Sequence, residues 1–168
     1  MRILYHHRTQ GEEPEAIHFA AIVDALRQLG HEVLVVGPAP LHTRADGRQR
    51  LTLAGRIKRL VPGFVFELLQ IVYNLPAWWR LRGAIRSFGP DLIYERYALF
   101  GAAGVLGARA AGVPLILEVN TPYAHAWAEY YGLRLQRLAR ALERRVLNAA
   151  DRIVTVTDAQ REMLTRYG

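Results

Sequence analysis

The stretch DLIYERYALFGAAGVLGARAAGVPLILEVN, residues 91–120, decides how this chain folds. Leu92, Ile93 and Tyr94 form a short apolar run after Gly89-Pro90, and Leu115, Ile116 and Leu117 form another after Pro114. Each run is too short for a buried helix, so the spacing predicts two strands. Between them lies an alanine- and glycine-rich segment long enough for a crossover helix. The strands should therefore run parallel in a sheet covered on both faces. Each strand ends in polar residues, Glu95-Arg96-Tyr97 and Glu118-Val119-Asn120. Ligands of open parallel sheets bind beyond the carboxyl ends of the strands, so both clusters are expected to face one crevice.

Upstream, Ile3-Leu4-Tyr5 reads as a first strand, followed by a polar loop over 7–14. Phe19, Ile22, Val23, Leu26 and Leu29 then recur at helical spacing, with Gly30 as the stop. A second strand over 33–36 ends at Gly37-Pro38, giving a β-α-β opening. Downstream, Leu135, Leu138, Leu142 and Val146 mark a helix, and Ile153, Val154 and Val156 mark a fifth strand. Thr157 with Gln160 forms a capping box for a last helix. The fold class that follows is α/β: a Rossmann-like open parallel sheet with helices on both faces, in three layers.

With 168 residues, 51% hydrophobic and 22% charged, the chain is expected to form one domain over 1–168. It has no cysteine, which excludes disulfides, thiolate metal sites and cysteine nucleophiles, and fits a reducing compartment. Met1-Arg2 runs straight into a strand without an apolar signal core, so a cytoplasmic location is expected. Adjacent His6 and His7 would point to opposite faces of a strand, so no metal site is expected.

The net charge of +7 is concentrated over residues 44–86, where nine basic residues face only Asp46 and Glu67. That asymmetry suits an anionic partner, although arginine-rich composition alone would produce it as well. Nucleic acid is not favoured, because the basic segment carries no recognisable reading motif. The greasy run over 64–79 is too short and too polar to span a membrane. After Pro76, Trp78, Leu81, Ile85 and Phe88 share a helix face, with Arg80, Arg82 and Arg86 elsewhere. Such a helix suits either packing on the sheet or a peripheral contact of 56–86 with an anionic membrane.

No G-x-G-x-x-G fingerprint opens the first helix, which removes the best support for an ordinary NAD site. Gly101, Gly104 and Gly107 fall inside the predicted crossover helix, where close helix-sheet packing accounts for them more simply than phosphate binding.

Gly11, His18, Gly30-His31-Glu32-Val33, Asp91-Leu92-Ile93-Tyr94, Val113-Pro114 and Ala150-Asp151-Arg152-Ile153-Val154 together resemble the amino-terminal half of family-4 glycosyltransferases. The GHEV, YERYALFG and EVNTP segments are similar to bacterial members associated with exopolysaccharide and cell-surface assembly. The resemblance implies one half of a GT-B architecture, with the carboxyl-terminal donor-binding domain absent from this sequence. It implies a hexosyl-type transferase that needs no cofactor, takes a nucleotide sugar as donor substrate, and holds a glycan or lipid-linked acceptor in this half. The isolated domain is expected to be inactive. The alternatives are an acceptor subunit of a two-chain transferase, or a non-catalytic Rossmann-like binding or adaptor domain.

The family's loop after the first strand approaches the donor diphosphate. Here Gly11 matches it, but Glu12 replaces a second glycine and its charge would repel a diphosphate. Where many members carry a histidine, this chain has Asn120, which can donate a hydrogen bond but cannot serve as a base, leaving His125 as a substitute. Asn120 and His125 are thus the catalytic candidates, and Gly11, His18, Glu95, Arg96, Glu118 and Tyr123 the substrate-binding ones. Three plainer readings stand beside these: an Asx turn at Asn120-Thr121-Pro122, a Glu95–Arg96 ion pair shaping the loop, and a packed His18.

Overall fold

In the computed structural model of the chain, the residues described are 1–8, 13–38, 61–121, 124 and 132–167. In chain order they form β1 (Arg2–His6), α1 (Glu13–Gln28), β2 (Glu32–Val36), α2 (Gly63–Val72), α3 (Asn74–Phe88), β3 (Leu92–Arg96), α4 (Ala103–Ala111), β4 (Leu115–Glu118), α5 (Gln136–Ala149), β5 (Arg152–Val154) and α6 (Asp158–Tyr167). The five strands make one sheet in the order β2-β1-β3-β4-β5, and every pairing is parallel. The quoted stretch supplies β3-α4-β4 at its centre, as its spacing predicts. Two aspartates fix strand positions at the amino edge: Asp91 accepts from the Arg2 N–H (2.6 Å) and Asp151 from the Leu115 N–H (2.7 Å).

Alternation along the strands sorts the core into two layers. On one face Tyr5 and Tyr94 pack with Phe19 and Val23 of α1. On the other, Leu4, Ile93, Leu115 and Leu117 meet Leu81 and Phe88 of α3, Val105 and Ala108 of α4, and Val146 and Leu147 of α5. Burying each such side chain contributes on the order of 1.5–3 kcal/mol. The glycines of α4 serve this packing. A Cβ at Gly107 would lie 2.6 Å from Leu81 Cδ2, and one at Gly104 would run into the Glu95 carboxylate. Gly89 and Gly112 end α3 and α4 in the left-handed conformation (φ 59° and 66°) that side chains resist.

The greasy run resolves into two successive helices instead of one helix beginning at Pro76. Backbone bonds from Tyr73 N to Leu69 O (2.9 Å) and from Ala77 N to Tyr73 O (3.1 Å) carry helical pairing across the junction. Pro76 sits in the first turn of α3, where its missing N–H costs little. Ala77, Leu81 and Phe88 are buried, Trp78 is half-buried, and Trp79 is 58% exposed. Glu67 is the one charged residue that α2 turns inward; it accepts from the backbone N–H groups of Arg134 (2.8 Å) and Leu135 (2.7 Å), capping α5. Among the described residues no helix is long and apolar enough to cross a membrane, and no group of three or more His, Asp or Glu could hold a metal.

Candidate functional site at the carboxyl edge of the sheet

Glu118, the last residue of β4, is the centre of the site. Its Oε1 lies 3.1 Å from His18 Nε2 and accepts from Asn120 Nδ2 at 2.9 Å. Its Oε2 accepts from the Tyr5 hydroxyl at 3.3 Å and the Tyr94 hydroxyl at 3.2 Å. The strand register explains the convergence. Tyr5 lies opposite Tyr94, and Arg96 lies opposite Glu118, so the two phenols sit side by side just below the carboxylate on the α1 face. Their rings stack 5.0 Å apart, and Phe19 closes on Tyr5 edge-on at 4.6 Å.

The carboxylate is 1% exposed, while the His18 side chain is 41% exposed. A buried charge must be hydrogen-bonded, and four donors satisfy this one. Burial first, and then the Glu118 charge, hold both phenols well above the usual tyrosine range, with Arg96 pulling slightly the other way. Both hydroxyls therefore remain donors. Since a carboxylate only accepts, His18 Nε2 must carry a proton. The remaining polar atom of this half-exposed ring is Nδ1, which in the neutral imidazole accepts a hydrogen bond.

Glu95 behaves differently. Its Oε1 lies 2.7 Å from His6 Nδ1 and 3.2 Å from the Gly104 N–H in the first turn of α4. His6 and Glu95 are both buried, and they lie opposite each other in the register. Glu95 is one residue out of step with Glu118 on the sheet, so it faces the α4 layer. The two acidic clusters do share the carboxyl edge, yet they open onto opposite faces instead of one crevice. For the same reason Glu95 and Arg96 point apart, and Arg96 lies buried on the Glu118 side. His6 and His7 likewise diverge: His7 packs on Phe19 with ring centroids 4.6 Å apart.

No Asx turn forms at Asn120. Pro122 has no N–H to close one, and the Asn120 amide reaches back to Glu118. The main-chain oxygen of Asn120 accepts from the Thr121 hydroxyl (2.7 Å) and from the Gln160 side chain of α6. Gln160 also uses its N–H on Thr157 Oγ1 (3.2 Å), the donor half of the expected capping box. The candidates Gly11, Tyr123 and His125 lie outside the described residues.

Sequence reasoning missed Tyr5 and Tyr94 as partners of Glu118, and His6 as the partner of Glu95. The available signal was the tyrosine that closes each of the apolar triplets Ile3-Leu4-Tyr5 and Leu92-Ile93-Tyr94, because a buried phenol needs a polar partner.

A family model described as Glycosyltransferase Family 4 matches residues 16–168. A GDP-mannose-dependent alpha-mannosyltransferase of Mycolicibacterium smegmatis is 32% identical over 149 residues, 87% of this chain and 39% of that protein. The chain thus spans about two-fifths of the length of the curated relative it matches. The solved glycosyltransferase SnogD from Streptomyces nogalater aligns with TM-score 0.53 at 20% identity, covering 94% of this chain and 45% of that one. Acinetobacter baumannii MurG aligns with TM-score 0.52 at 11% identity, covering 95% and 42%. At those identities the two structures speak for the fold alone. Fold and family match together place the chain in Glycosyltransferase Family 4, as a Rossmann-like amino-terminal domain of its GT-B architecture.

Proposed function

We propose that this domain is the acceptor-binding half of a transferase that moves a sugar from a nucleotide sugar to a glycan or lipid-linked acceptor in cell-surface polysaccharide assembly. The donor is bound mostly by a carboxyl-terminal domain that is not among these 168 residues, and no cofactor takes part. The observation that carries the reading is the Glu118 hub: a buried carboxylate holds a half-exposed imidazole and an amide at the edge where such sheets take ligands. His18 Nδ1 then accepts a hydrogen bond from a sugar hydroxyl, and Asn120 orients the same ligand; Gly11, Tyr123 and His125 are retained as further ligand contacts in this proposal. Glu118 has its oxygens committed to protein donors and acts through His18 and Asn120. Arg96 lies beside it, and Glu95 supports the loop beyond β3.

The test joins this domain to its donor-binding domain and measures transfer from a panel of nucleotide sugars, beginning with GDP-mannose because of the mannosyltransferase relative. The joined protein is expected to transfer sugar, and the 168-residue chain alone to transfer none. Transfer by the isolated chain, or none by the joined protein with any donor, would overturn the reading.

A specific feature favours peripheral attachment at the cytoplasmic face of an anionic membrane. Phe64, Leu68, Val72, Leu75 and Trp79 follow one another at intervals of three or four along α2 and α3, and all are exposed. Exposed Arg80 and Arg86 flank them, and Arg82 lies over Trp78 and Trp79 (5.2 and 5.7 Å). Such a face suits an interfacial helix pair, with each basic residue near anionic lipid contributing about 1 kcal/mol. Residues 56–60 of the basic segment lie outside the described ones.

A further inference from the structure

Arg8 follows β1 by two residues and lies at the same carboxyl edge, on the side of α2. Its Nη2 donates to the Gln70 carbonyl (2.9 Å), and its guanidinium lies 4.8 Å over the Tyr73 ring. Its Nη1 is buried and makes no hydrogen bond. The ideal Cβ of Gly101, in the loop just before α4, would come 3.6 Å from that nitrogen. Among the described residues no carboxylate stands within ion-pair distance of Arg8. Glu95 acts on Arg8 from a distance, with its Oε1 held by His6 and the Gly104 N–H.

A guanidinium removed from water without a counter-ion is costly, and burial is the main force pulling the Arg8 pKa down. Anchoring α2 to β1 needs one donor and a flat stem. It does not need a second, unused N–H of a permanently charged fork. That fork matches phosphate oxygens, which accept two N–H bonds from one guanidinium. The helix start nearest β3 is not open to a phosphate, because the Gly104 N–H of α4 already holds the Glu95 carboxylate.

We propose that Arg8 is an anion-binding residue at the carboxyl edge of the sheet and takes a phosphate group of the bound ligand. The phosphate belongs to a nucleoside diphosphate donor or to a phosphate-bearing acceptor; this choice alone rests on the sugar-transfer reading above. In that role Arg8 supplies the positive charge that the Gly11-Glu12 loop lacks.

Calorimetric titration of the 168-residue domain with pyrophosphate and with methyl phosphate tests the assignment without any transfer step. Arg8→Gln is expected to weaken pyrophosphate binding about tenfold or more, as expected for loss of a charged hydrogen-bond donor. Arg8→Lys, which keeps the charge without the fork, should fall between, and the exposed control Arg134→Gln should stay within about twofold of wild type. Pyrophosphate bound clearly more tightly than methyl phosphate assigns the site to the donor; equal binding assigns it to an acceptor phosphate. No binding by the wild type, or equal loss from Arg8→Gln and Arg134→Gln, overturns the proposal.

If Arg8→Gln fails to fold, the wild type answers by footprinting. Pyrophosphate should protect Arg8, and not Arg134, from phenylglyoxal as mapped by mass spectrometry. Modification of Arg8 at an unchanged rate overturns the proposal. Sugar transfer by the joined protein would be unaffected as a conclusion by either failure.

Discussion

Two buried carboxylates stand at one edge of this sheet, and they differ in who holds them. Glu95 is gripped by a buried imidazole and by the backbone of a helix start, with a glycine at 104 letting it approach. Every named partner is interior, so Glu95 fastens β3 to β1 and α4. Glu118 is gripped by side chains alone, and one of them, His18, is half in solvent. The same residue type at the same level of the sheet thus serves architecture on one face and, in the proposed function, ligand chemistry on the other. Burial does not separate the two; the exposure of the partners does.

The largest expected effect breaks the architectural side. Glu95→Ala strands His6 and removes the acceptor at the start of α4, and should lower stability by about 3 kcal/mol or more in urea unfolding, as for other broken buried charge networks. A loss below about 1 kcal/mol would move Glu95 out of the structural role. Glu118→Gln keeps the shape but must turn an amide toward four donors. It should cost about 1–2 kcal/mol and also lower sugar transfer by the joined protein. Unchanged transfer at that stability loss would reduce the hub to packing.

The phenols of the hub sharpen the comparison through pH. Tyr5 and Tyr94 have folded-state pKa values raised by burial and by Glu118, so they stay protonated after the unfolded chain's tyrosines ionise near pH 10. Their contribution is fully present below about pH 10 and declines above it, by about 1.4 kcal/mol per pH unit for each tyrosine. Tyr94→Phe should remove one proton's worth of that slope between pH 10 and 11. An unchanged slope would detach Tyr94 from the hub.

The smallest effect concerns the outer face. Replacing Arg80, Arg82 and Arg86 with Gln should weaken sedimentation with acidic phospholipid vesicles at low salt more than replacing Arg134, Arg137 and Arg140. The expected contribution is about 1 kcal/mol per arginine near the surface. Equal losses would mean that only net charge matters.

How much of this was legible from the residues follows from the same parity. Apolar triplets reveal β1, at the start of the chain, and β3 and β4, each preceded by Pro, and polar residues at their ends reveal the edge. Which face each side chain takes depends on inter-strand register, Tyr5 against Tyr94 and Arg96 against Glu118, which no single strand encodes. For that reason two opposite clusters read as one crevice. The helix α2 was illegible because Phe64, Val65, Phe66, Leu68, Leu69, Ile71 and Val72 leave no polar face to mark a period. Its one signal was Glu67, a lone carboxylate in an apolar run, which turns inward to cap α5. Of the three glycines read as helix-to-sheet packing residues, Gly104 alone meets the sheet, at Glu95; Gly107 meets Leu81 and Ile85 of the neighbouring helix α3, and Gly101 precedes α4.

The most direct test compares the two histidines in the joined protein, measuring transfer and the urea midpoint for His18→Ala and His6→Ala. His18→Ala is expected to lower transfer about a hundredfold, in the range of a lost acid–base or orienting group, with the midpoint nearly unchanged. His6→Ala is expected to lower the midpoint while the folded protein keeps its turnover. Full transfer by His18→Ala, or a midpoint untouched by His6→Ala, would contradict the division of labour between Glu118 and Glu95.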